Sequence, residues 1–202
     1  MKLENIEQAD EFYRKVLKQA EKEDAQLKAE GEKPDQIRKA TAELGKNDLY
    51  FLLTRILKRQ DIRHPWLFAR CKEVQEEPNN CLDLWAREHR KSTIITFALT
   101  IQDLMIDSEL CIGIFSITRP IAKSFLYQIK WEFETNELLK QLYPESLWAN
   151  PQREAPRWTL DDGIVLKRER NPKESTLEAF GFIQGLPTSR HYQIRLYDDM
   201  ID

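Results

Sequence analysis

Glycine is scarce in this chain, six in 202 residues, and none falls between Gly45 and Gly113, so any tight turn in that stretch is built from other residues. Cysteine and histidine are sparser still, three of each. Cys71, Cys81 and Cys111 are odd in number and show no C-x-x-C spacing, which excludes a disulfide framework and a cysteine zinc site. All three are expected reduced, in apolar surroundings. His64, His89 and His191 are scattered without metal-ligand spacing. No apolar run nears the roughly 20 residues that cross a bilayer, the longest lying around Ile94 to Leu99. The first residues carry no apolar h-region, so the cytoplasm is the expected compartment. A formal net charge of −3 excludes a uniformly basic nucleic-acid coat while leaving room for a local basic patch.

What is present is a globular composition, 41% hydrophobic and 32% charged, long enough for one sizeable core plus an appendage. Residues 1–46 read as charged helices. Ile6, Ala9, Tyr13, Val16, Leu17 and Ala20 mark one stripe, and Gly31 with Pro34 separates it from a second, Ile37, Ala40 and Leu44, ending at Gly45. The reading is a solvated helical hairpin leaning on the core, with a docking arm for a neighbouring subunit as its alternative. Asn47 or Asp48 can cap the next helix, dense in Leu49, Phe51, Leu52, Leu53, Ile56 and Leu57, and Pro65 suits the first turn of another carrying Trp66, Leu67, Phe68 and Val74.

The stretch from Cys81 to Thr96 reads as a short apolar strand, a polar turn and an apolar-periodic helix, fed by a turn at 76–80. Lys91-Ser92-Thr93 stands at the helix start. There, unpaired backbone N–H groups and the positive end of the macrodipole favour phosphate, a lysine adds a mobile charge, and a hydroxyl can hold Mg²⁺. This is a phosphate-loop reading, with Lys91 on the β/γ-phosphates and Ser92 on the metal. In G-x-x-x-x-G-K-[ST] the glycines fall at 85 and 90, which here are Trp85 and Arg90.

Downstream, Leu110 to Ser116 is a continuous apolar run of the kind found in buried parallel strands, expected beside the strand at 81–84. The helix from Ser92 to Met105 is expected to turn Ile95, Leu99 and Leu104 toward the sheet. Pro120 opens a long helix that carries Leu138 and Leu139 and ends before Tyr143-Pro144. Arg157 to Lys167 reads as a hairpin around Asp161-Asp162-Gly163, and Lys167 to Lys173 is a charge run, either a solvated loop or a contact for DNA phosphates. Thr176 to Phe180 is a further strand, Gly181, Gly185 and Pro187 punctuate the next loop, and Tyr192 to Asp199 is an alternating strand ending in two acids.

Taken in order, these segments resemble one family, the ATPase domain of the large terminase subunit, the DNA-packaging motor of tailed phages. The residues that carry the resemblance are Leu84 to Ile95, similar to the glycine-poor, arginine-bearing Walker A of that family, then Ile112 to Lys123, Phe133 to Leu139 leading to Tyr143-Pro144, and Thr176 to Asp199. It covers roughly Asp48 to the end of the chain.

The resemblance implies an α/β P-loop NTPase fold, a mostly parallel sheet flanked by helices, over residues 47–202, with residues 1–46 as a helical N-terminal extension. It implies a Mg²⁺-dependent ATP hydrolase. Arg87, Glu88, His89, Arg90, Lys91, Ser92 and Thr93 would hold ATP, Ser92 and Asp198 the Mg²⁺, and Asp199, where the family usually has glutamate, the attacking water. Arg87 would reach the γ-phosphate from within the same subunit, the alternative being a salt bridge that shapes the turn. Residues from Trp66 to Gln75 are candidates for packing on the adenine, with core packing the alternative for Trp66 and Phe68. The implied partners are double-stranded DNA, a portal protein, a small terminase subunit and further copies in a ring, at the procapsid portal in the host cytoplasm, with no membrane. By the same resemblance the chain is expected to be an N-terminal fragment that stops just after Walker B, without a nuclease domain.

Two other readings stay open from the residues alone. One is a helicase-like translocase of the same nucleotide-binding class. The other is a non-catalytic interaction module whose phosphate loop is degenerate and whose N-terminal helices are its working surface.

Overall fold

Asp48 is where the N-terminal helices converge. One carboxylate oxygen accepts from the backbone N–H of Phe51 and caps the helix that follows. The other takes the Tyr13 hydroxyl at 2.7 Å and the Lys72 ammonium at 2.6 Å, so a single buried acid ties three helices. The structure, a computed structural model, describes residues 3–77, 80–183, 185 and 189–200. Pro78 and Asn79 of the turn expected at 76–80, and Pro187 of the loop before the last strand, lie outside them.

The chain divides into two compact units, Met1–Arg90 and Lys91–Asp202. In the first, α1 (Ile6–Ala29) is capped by Asn5 and buries Ala9, Tyr13 and Ala20 of the expected stripe. Gly31, at φ +80°, reverses the chain into α2 (Gln36–Asn47). The next helix starts as α3 (Leu49–Phe51) and widens into a π-helical stretch, Leu52–Ile56, buried almost throughout. A single 3₁₀ turn, Gln60–Ile62, leads to α4 (Pro65–Glu76), which has Pro65 in its first turn and His64 as its cap.

The second unit opens with the helix that follows Lys-Ser-Thr, π-helical over Thr93–Leu99 and continuing as α5 (Thr100–Ile106). β1 (Ile112–Ser116), buried at every position, leads into α6 (Arg119–Thr135) and the short helices α7 (Glu137–Leu142) and α8 (Pro151–Glu154). The remaining strands are β2 (Trp158–Thr159), β3 (Gly163–Ile164), β4 (Leu177–Gly181) and β5 (Ile194–Tyr197). They form one five-stranded mixed sheet in the order β2-β3-β4-β1-β5. β1 pairs in parallel with both β4 and β5, while β2 and β3 form the expected antiparallel hairpin on the far side of β4. α6 packs on β1 and β4. In register across the three parallel strands, Phe180, Phe115 and Tyr197 stack their rings at 5.6 and 5.1 Å. The unit is α/β, a mixed sheet flanked by helices.

Four expectations are corrected. Residues 81–86 form no strand, so β1 has no neighbour there and pairs with β4 and β5 instead. Leu82 and Leu84 are each 82% exposed, and Trp85 packs on Trp66. A short segment such as 81–84, with only three apolar residues and no paired ladder, leaves its backbone groups to water and gains little by being extended. The long helix from Pro120 breaks at Asn136, whose side chain accepts from the N–H of Leu139 and starts α7, the competition by which asparagine favours a cap over a helix interior. In the helix after Ser92, Ile94 is fully buried and Ile95 only half-buried, because the π-helical turns rotate the stripe. Finally, Cys71 and Cys111 are buried as expected, but Cys81 is exposed.

Candidate functional site

Parallel strands leave their carboxyl ends open to whatever the following loops place there. At that end of β1 and β5 the chain is held tightly. The N–H of Asp198 donates to the carbonyl of Phe115 at 2.9 Å, and the carbonyl of Asp199 accepts from the Ile117 N–H and the Ser116 hydroxyl, each at 3.1 Å. Asp199 adopts φ +48°, a left-handed conformation that aspartate tolerates better than most residues. The turn leaves Asp199 exposed and sends Asp198 inward, where it is 3% exposed.

A carboxylate so buried needs partners, and Asp198 has three among the described residues. Lys91 brings its ammonium to 3.3 Å of Oδ1, the N–H of Asp199 donates to the same oxygen at 3.1 Å, and the Thr96 hydroxyl donates to Oδ2 at 2.6 Å. The lysine of the Lys-Ser-Thr junction and the first acid of the last strand therefore meet. Thr96 escaped the sequence reading. In a regular α-helix, residues five apart such as Lys91 and Thr96 point about 140° away from each other. A widened helix beginning at Thr93 and the long lysine stem let both reach one carboxylate.

The loop before Lys91 belongs to the first unit. Arg87 and Glu88 form its turn, with the His89 N–H donating to the Ala86 carbonyl and the His89 ring Nδ1 2.8 Å from the Arg87 carbonyl. Glu88 stands at φ +66° and Arg90 at φ +58°. The position where the phosphate-loop pattern asks for glycine thus needs the left-handed backbone that glycine adopts freely, and arginine supplies it at a cost. Arg90 is steadied by Asp61 at 3.3 Å, an acid already engaged by Arg59. Those arginines hold the Asp61 carboxyl below its ordinary range, the Arg59 hydrogen bond being the largest cause. Arg87 is exposed and makes no ion pair among the described residues. Trp66, 37% exposed, has Trp85 and His89 edge-on at 5.3 and 5.2 Å and the Arg70 guanidinium 5.6 Å above its ring. Phe68 is a core residue.

No group of three or more histidine, cysteine or acidic residues among those described could hold a metal alone. The oxygens that meet at Lys91 are nevertheless hard donors, the Asp198 carboxylate and the Thr96 hydroxyl bound to it, with Ser92 next to Lys91 in the chain. Such a set fits Mg²⁺, which takes one or two carboxylates and completes its shell with phosphate oxygens and water. The charge run from Lys167 to Lys173 is bound back on its own unit. Lys167 reaches the Pro144 carbonyl at 2.8 Å, Arg168 the Glu174 carbonyl at 2.9 Å, and Arg170 pairs with Glu109 at 3.0 Å. Among the described residues no helix is long and apolar enough to cross a membrane. Comparison of the chain with family models, with curated proteins and with solved structures finds no match in any of the three.

Proposed function

We propose that this chain is the ATPase (motor) domain of a phage large terminase, hydrolysing ATP to drive double-stranded DNA into a procapsid. The observation that supports the reading is the Lys91–Asp198 ion pair, which brings the lysine of Lys-Ser-Thr and the first acid of the last strand to one place at the carboxyl ends of parallel strands. Without nucleotide, Lys91 compensates the buried carboxylate. On binding, Lys91 would turn to the β/γ-phosphates, alongside the backbone N–H groups of Ser92 and Thr93 at the helix start; a share for residues 88–90 follows from the resemblance alone. Ser92 and Asp198 are the residues that would hold Mg²⁺, whose chemistry is to neutralise charge on the phosphates. Asp199, which is exposed, would orient the attacking water, and a γ-phosphate contact for Arg87 follows from the resemblance alone. A place for the adenine on Trp66 likewise follows from the resemblance alone. Double-stranded DNA, portal, small terminase subunit and ring assembly follow from the resemblance alone.

One observation favours a second reading. Leu82 and Leu84 stand exposed in a segment that joins no sheet, as expected of a degenerate phosphate loop retained in an interaction module. Phosphate release from Mg-ATP separates the two. An ATPase releases phosphate, however slowly, and loses that release in Asp199→Ala while staying folded. A folded chain with no release above the buffer, alone or with double-stranded DNA, selects the interaction module.

A further inference from the structure

Thr96 has one O–H to give, and gives it to Asp198 rather than to its own helix. Threonine in a helix commonly donates back to a carbonyl one turn earlier, which satisfies the hydroxyl at no cost in packing. Here the donation runs to a residue 102 positions away, at 2.6 Å, between two buried groups. The two oxygens of Asp198 consequently have different partners. Oδ2 is held by a buried hydroxyl, while Oδ1 faces Lys91, whose side chain is 35% exposed and long enough to leave. The terminal torsion of an aspartate is soft, so a carboxylate whose lysine had moved away could turn about its Cβ–Cγ bond. The hydroxyl on Oδ2 opposes that rotation, and the Asp199 N–H on Oδ1 fixes the plane from the other side.

We infer that Thr96 is a positioning residue, whose hydroxyl keeps Oδ1 of Asp198 presented to a divalent cation once Lys91 has moved to a phosphate. The inference rests on the nucleotide-binding reading above and assigns within it a residue that the phosphate-loop pattern does not contain. It separates two affinities. Binding of metal-free ATP depends on Lys91 and the helix start, while the gain on adding Mg²⁺ depends on the orientation of Asp198, and so on Thr96.

The test is calorimetric titration of ATP in EDTA and in excess Mg²⁺, on the parent chain, Thr96→Val, Thr96→Ala and Thr96→Ser. Valine keeps the shape of threonine and removes the hydroxyl; alanine makes the same contrast if the valine variant does not fold. The expected result is metal-free affinity within about twofold of the parent and a Mg²⁺ gain reduced about tenfold in the valine or alanine variant, as for one lost charge-assisted hydrogen bond, with the gain restored by serine. A full Mg²⁺ gain in the hydroxyl-free variants overturns the inference, and so does an equal loss with and without metal, which marks a structural hydrogen bond. A parent that binds ATP in neither buffer overturns the nucleotide reading and this inference together. A parent that binds ATP with Mg²⁺ gain, beside hydroxyl-free variants that match it, overturns the role of Thr96 alone.

Discussion

Lys91 and Asp198 meet at 3.3 Å, the lysine 35% exposed and the carboxylate almost wholly buried. The asymmetry matters. A buried acid without its counter-charge is costly, whereas a half-exposed lysine is readily solvated, so the mobile partner of the pair is the lysine. On the nucleotide-binding reading proposed above, an anionic ligand that draws Lys91 away would leave Asp198 in need of a cation, linking phosphate and divalent-cation binding at one carboxylate.

Arg90 offers a direct view of what the missing glycine costs. Its φ of +58° strains an arginine backbone by on the order of 1 kcal/mol or more. Its ion pair with Asp61 is a surface contact worth about 0–1 kcal/mol. Glycine would relieve the strain, lose the pair and add unfolded-state entropy of about 0.4–1 kcal/mol. These terms nearly cancel, so Arg90→Gly is expected to unfold in urea within about 1 kcal/mol of the parent. A loss of 3 kcal/mol or more, roughly three times that margin, would mean that the arginine side chain holds the turn far more strongly than a surface pair can.

Asp103 gives the second unit a pH signature. Burial pushes its carboxyl up to about 6, from an ordinary value of 3.8. The folded state therefore binds this proton more tightly than the unfolded chain. The resulting stability is complete below the ordinary value and is lost as pH rises through about 6. The full effect is on the order of 2–3 kcal/mol. Asp103→Asn removes it, so melting temperatures of variant and parent should agree near the ordinary carboxylate range and diverge above the raised value, the variant being more stable. Parallel curves throughout would show that the carboxyl is solvated.

Tyr13 is the point at which α1 is fastened. Burial and the neighbouring Asp48 carboxylate raise its hydroxyl far above the ordinary tyrosine range, so it donates at every accessible pH. Tyr13→Phe keeps the ring against Phe51, at 4.9 Å, and deletes the donor while Lys72 still serves the carboxylate. A loss of about 1–2 kcal/mol is expected by urea unfolding, with an unchanged denaturant slope. No loss at all would mean that α1 docks through its apolar stripe alone.

What could be read from the residues was mostly local. Gly31 and Pro34 divide α1 from α2, Asp-Gly at 162–163 makes the β2–β3 hairpin with Gly163 at φ +83°, and the unbroken apolar run of β1 marks a strand buried on both faces. Lys91 stands out at a helix start and Asp198 at a strand end, each as a candidate site residue, but their direct ion pair appears only in the structure. The segment 81–84 misled because a few apolar residues look the same in a strand and in an unpaired loop; only a ladder partner tells them apart. The break at Asn136 turned on one side chain choosing a nearby N–H. Thr96 was hidden for a different reason: its partner lies 102 residues away, beyond the reach of any periodicity.

Titration of Mg-ATP into the folded chain and into Lys91→Ala tests nucleotide binding at Lys91 most directly. Saturable binding by the parent and a loss of about ten- to a hundredfold in the variant are expected, the worth of one charged contact to phosphate. A folded parent that takes up no Mg-ATP, or a variant that binds as tightly as the parent, would contradict it.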